Sequence, residues 1–136
     1  NYLDAITRGV SAMSTIHSGG SSDLIKRMIA PPVNASFADI SAVDAIIELK
    51  NEEKRSVDRV SEIFNENGLM INHIFEKKES GYENSGYSYL LKRISKKMEK
   101  PEDVIESEIA QKKSFLESIR PGISYVDFYE SLNSTI

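Results

Sequence analysis

Residues 92–100 hold five cations, Lys92, Arg93, Lys96, Lys97 and Lys100, against one carboxylate at Glu99. Tyr82, Tyr87 and Tyr89 stand just ahead of them. Cations beside aromatic rings can stack nucleobases or seat an acidic protein helix. The rest of the chemical inventory is thin. His17 and His73 are the histidines, and neither has a second histidine at metal-ligand spacing. Gly19-Gly20 and the loop from Gly81 to Gly86 lack both the dinucleotide fingerprint and the GK[ST] phosphate loop. Glu52-Glu53 and the Glu106/Glu108 pair are spaced so that, on a helix, their carboxylates do not face each other. No serine sits in G-x-S-x-G, and the absence of cysteine removes thiolate nucleophiles and cysteine-ligated zinc. These residues nominate no catalytic group, metal or cofactor, so the chain reads as a non-enzyme.

The elements around the cations explain much of their placement. The spacing predicts a helix over 85–99 and another over 101–119, with Pro101 at the first position, where no N–H is needed. Cations late in the first helix and Glu102, Asp103 and Glu106 early in the second both complement the helix macrodipole. Segment 89–113 also resembles the helix-turn-helix family at Ile94, Ser95, Met98 and Ile105, near positions that the family fills with apolar and small residues. It departs at Glu99, where the family places a turn glycine. It departs again in the second helix, whose start enters the major groove in that family. There Glu102, Asp103, Glu106 and Glu108 would meet phosphates with like charge.

Upstream, Leu3, Ile6, Val10, Met13 and Ile16 recur at three- and four-residue spacing, which predicts an amphipathic helix ended by the glycines and serines of 18–22. A short helix over 22–30 follows, stopped by Pro31-Pro32; residues 1–30 read as a semi-independent helical pair. Ser36…Asp39 and Ser41…Asp44 have capping-box spacing. From there Ile40, Val43, Ile46, Ile47, Val57, Val60, Ile63 and Phe64 predict helix to about residue 66, ending at Asn67-Gly68. One helix is favoured over two, because 50–56 contains no Gly or Pro. Residues 69–78 are favoured as helix, the alternative being a strand in a short β-hairpin near residues 69–89. Ser124…Asp127 starts a last helix over 124–132. The expected fold is all-α: a compact bundle of five to seven helices in a single domain spanning 1–136.

The length suits one domain, and 40% hydrophobic with 28% charged residues is ordinary for a globular chain. A net charge of −4 disfavours a protein that coats nucleic acid with its whole surface. No apolar run reaches membrane-span length. The chain opens on Asn1 rather than Met, which suggests a fragment of a longer chain, and the absence of a leader pattern makes the cytoplasm the default expectation. The functional expectation is a non-enzymatic helical protein–protein interaction domain, a component or regulator of a larger assembly. Its partner is another protein, acidic in character, or a further copy of itself. Lys92, Arg93, Lys96, Lys97, Lys100, Tyr87, Tyr89, Phe128 and Tyr129 are the candidate contact residues. The alternative is a nucleic-acid-associated factor that uses 92–100 and its flanking tyrosines.

Overall fold

The computed structural model describes residues 2–51, 55–119 and 122–135, with side chains through Ser131. It overturns the all-α bundle. Helices α1 (Tyr2–Thr7), α2 (Ser21–Ile29) and α3 (Phe37–Ile40) lead into strands β1 (Ala45–Asn51), β2 (Arg55–Asn65), β3 (Leu69–Lys78) and β4 (Gly81–Asn84). Helices α4 (Tyr89–Met98), α5 (Glu102–Ser118) and α6 (Tyr125–Thr135) follow. The strands form one antiparallel sheet in sequence order, so the fold is α+β. The chain divides into two compact units, Asn1–Leu90 and Leu91–Ile136, with the boundary inside α4.

The helix expected over 36–66 is therefore one turn of helix and a β-hairpin. Ser36 does cap α3: its Oγ accepts from Asp39 N–H at 3.1 Å, and Asp39 accepts from Ser36 N–H at 3.0 Å. The cap starts a helix but cannot extend it through the β-branched residues of 43–63, which pair as strands instead. Asn67-Gly68, expected as a helix end, turns β2 back onto β3. Asn67 and Gly68 both have positive φ, and Asn65 Oδ1 accepts from Gly68 N–H at 3.2 Å. Residues 69–78, favoured as helix, are β3, paired with β2 and β4. The predicted helix over 3–16 stops at Thr7, where Gly9 follows with positive φ and residues 10–18 take no regular structure. Its apolar stripe finds nothing to lie against there, and Met13 is fully exposed.

Within the first unit, Ile25 of α2, Ile40 of α3 and Ile63 of β2 make the core, flanked by Met28, Ala35, Val43, Ile46, Leu69 and Ile71. Burying an isoleucine side chain contributes about 1.5–3 kcal/mol. Gly20 fits the start of α2 for two reasons. Its φ is +128°, and a Cβ there would lie 3.3 Å from Glu48 Oε2. Glu48 Oε1 in turn accepts from Ser21 N–H at 3.1 Å, so a carboxylate on β1 caps α2.

Candidate functional site

The same device recurs on β2 and decides where α4 begins. Glu62, 1% exposed, accepts from the backbone N–H groups of Tyr89 at 2.8 Å and Leu90 at 3.3 Å, from the Ser88 hydroxyl, and from the Asn72 amide at 3.3 Å. The opening N–H groups of α4 lack partners inside the helix, and α4 has no acidic residue of its own in its first turn. Glu62 supplies both acceptor and charge. The tyrosines proposed as a stacking platform are engaged in this arrangement. The Tyr89 ring stacks on Phe64 with centroids 3.6 Å apart, and Tyr87 meets Tyr89 edge-on at 4.8 Å. Tyr89 is thereby taken up, while Tyr87 stays 48% exposed.

In the second unit, Lys92, Arg93, Lys96 and Lys97 lie on the exposed side of α4. Because α4 starts at Tyr89, only Lys96 and Lys97 fall in its last turn. Lys92 and Arg93 stand near the positive end of the macrodipole, so helix polarity accounts for two of the four. The pairs 92/96 and 93/97 are like charges at i, i+4, each destabilising by about 0.2–0.5 kcal/mol. Among the described residues no ion pair reaches Lys92, Lys96 or Lys97. Lys100 is committed elsewhere: its ammonium lies 2.7 Å from Glu108 Oε1, and this hydrogen bond holds the Glu108 carboxyl below the usual glutamate range. Glu99 adopts φ +53°, and Lys100 N–H donates to Ser95 C=O at 3.1 Å across the turn. That is the left-handed helix termination usually given to glycine.

The helices that follow have little cover. Ile105 is the one buried residue among the described positions of α4, α5 and α6. Ile109 is 55%, Leu116 56% and Tyr125 73% exposed, with Val104, Val126 and Tyr129 also open. Phe128 is half-buried, its ring centroid 6.0 Å from those of Phe115 and Tyr129, and Tyr129 lies 4.7 Å from Tyr125. Ser124 caps α6 as its spacing predicts, its Oγ accepting from Asp127 N–H at 3.1 Å. The Leu132 side chain lies outside the described residues, as does the Glu52-Glu53 pair.

A second open surface escaped sequence reasoning. On the sheet face that carries Glu62, register aligns Ile47, Val60 and Phe75 in one row, with Leu49 beside Val57 in the next. Ile47 and Leu49 on edge strand β1 are largely exposed, and the Tyr82 hydroxyl donates to Val57 C=O at 2.8 Å. The 57–64 stretch, expected as helix, is β2, with Ile63 in the core.

Sheet pairing also brings Ser61 Oγ to 2.7 Å from His73 Nδ1. A serine nucleophile needs an accessible Oγ beside its base, and Ser61 is fully buried, so this pair ties β2 to β3. Nearby, Glu76 accepts from Lys78 and Arg59, which together hold its carboxyl down to about 2. Arg59 also lies 3.7 Å from Glu48, linking β1, β2 and β3 through one guanidinium. No helix among the described residues is long and apolar enough to cross a membrane.

The fold and surfaces thus define an α+β sheet unit joined in sequence to a sparsely cored helical unit. No protein-family model matches this chain, and no curated protein matches it.

Proposed function

We propose that this chain is a non-enzymatic protein–protein interaction module, a component or regulator of a larger assembly, that docks through its C-terminal helices. The observation carrying the reading is the uncovered apolar set of α5 and α6, Ile109, Leu116 and Tyr125 foremost. Amphipathic helices draw most of their stability from a packed apolar face. Helices with one buried side chain among their described residues are built to receive cover from elsewhere. The sheet unit serves as the scaffold, and Glu62 fixes the start of α4, from which the helical unit continues.

The test is a double substitution, Ile109→Ser with Leu116→Ser, followed by denaturant unfolding of the full chain in dilute solution. Docking residues are free in the isolated chain, so stability should move by less than about 0.5 kcal/mol per site. A loss above about 2 kcal/mol per site would make them core residues and end the reading.

The exposed cations of α4 favour one second reading, a nucleic-acid contact. Against it stand the Tyr89 ring stacked on Phe64 and the carboxylates at the start of α5. Binding of a single-stranded oligonucleotide that weakens steeply with salt would support it, and no binding at low salt would remove it.

A further inference from the structure

Resting on the docking reading, we infer that the occupant of the C-terminal helices is a second copy of this chain, paired about a two-fold axis. The helical unit carries two exposed patches of opposite sign: Lys92, Arg93, Lys96 and Lys97 on α4, and Glu102, Asp103 and Glu106 at the start of α5. A turn separates them in sequence, yet they do not neutralise each other. Lys100 pairs with Glu108 and Lys113 with Glu117, and neither pair uses Lys92, Lys96, Lys97, Glu102, Asp103 or Glu106. Lys92, Lys96, Lys97, Glu102, Asp103 and Glu106 have no ion-pair partner among the described residues.

A partner that satisfies both patches must present a negative surface to α4 and a positive one to α5. This chain presents both. An isologous pair sets α4 of one copy against the start of α5 of the other, and the symmetry repeats that contact. It also gives the exposed Val104, Ile109 and Leu116 of α5 an apolar neighbour that the described residues of the single chain do not supply. The like-charge spacing on α4, unfavourable in an isolated helix, becomes favourable against three opposing carboxylates. The association is accordingly electrostatic at its rim and apolar at its centre.

The experiment is sedimentation equilibrium on the full chain and two charge-reversed variants, Lys92→Glu with Lys96→Glu and Lys97→Glu, and Glu102→Lys with Glu106→Lys. The wild type should sediment at twice 15.3 kDa. Its dissociation constant should rise about tenfold between about 0.05 and 0.5 M salt as screening shortens the reach of the rim charges. Each variant alone should sediment as a single copy, because both of its patches then carry one sign. Mixed in equal amounts, the two variants should recover the two-copy mass, since each junction in the mixed pair is again of opposite sign. A single-copy wild type, variants that still pair with themselves, or a mixture that stays monomeric would each overturn the inference. If a variant fails to fold by circular dichroism, the wild-type mass and its salt dependence decide alone. A single-copy wild type would leave the docking reading standing, because that reading is tested separately at Ile109 and Leu116.

Discussion

β2 and α5 make an instructive pair. The strand buries Ser61, Glu62 and Ile63 in succession, while the longer helix buries Ile105 alone. Their apolar content does not explain this. Val57, Val60, Ile63 and Phe64 on one are matched by Val104, Ile105, Ile109, Phe115 and Leu116 on the other. What differs is neighbours. β2 has a strand on each side and the Ile25/Ile40 cluster against Ile63, whereas the described part of the helical unit offers α5 little beyond the ring of Phe128. Burial is a property of what an element meets, and under the docking proposal α5 is the element that still lacks its neighbour.

The comparison breaks most easily at the core of the first unit. Ile40→Ala should cost about 3 kcal/mol in denaturant unfolding, since Ile40 is fully buried and the cavity cannot collapse for free. An effect below about 1 kcal/mol would mean that the sheet unit is no better cored than α5. Next in size is Glu62→Ala. It leaves the N–H groups of Tyr89 and Leu90, the Ser88 hydroxyl and the Asn72 amide without their acceptor. About 2 kcal/mol is expected, with loss of helical ellipticity from the start of α4. Glu99→Gly acts in the opposite direction. Relieving the left-handed strain at φ +53° should stabilise the helical unit by about 1 kcal/mol, read as a raised melting temperature.

The smallest effect is a pH dependence confined to the sheet. The Glu76 carboxyl is lowered from 4.5 to about 2 by Lys78 and Arg59, so its contribution is complete above the unfolded value. It is lost as pH falls from about 4.5 toward 2, because the unfolded chain takes up the proton first. Glu76→Gln should flatten the unfolding midpoint over that window. A slope unchanged by the substitution would detach Glu76 from the acid response.

Short-range signals were legible in the sequence. Ser36/Asp39, Ser124/Asp127 and the proline after α2 each act over a few residues, and the elements start or stop there. The sheet was hidden by its own irregularities. A bulge where Glu48 and Leu49 meet β2 sets Val57 and Val60 on one face although they are three apart, which imitates helical spacing. A second bulge, where Val60 and Ser61 meet β3, breaks the period of two in that strand. Asn67-Gly68 was the one local sign of a hairpin, and it serves a helix end equally well. The cap on α4 could not be read at all, because Glu62 lies 27 residues before Tyr89 and only the sheet brings them together. Of the nine contact candidates, the four cations of α4 stand exposed, Tyr87 and Tyr129 are open while touching neighbouring rings, and Lys100, Tyr89 and Phe128 take up internal contacts.

The most direct measurement is amide hydrogen exchange on the full chain at two protein concentrations, residue by residue. Amides of β2 and β3 should be strongly protected and indifferent to concentration. Those of α5 and α6 should exchange fast when dilute and slow as concentration rises and their surface is covered. If α5 and α6 were as protected as β2 in dilute solution, and unchanged on concentration, the helices would need no partner and the docking account would fail.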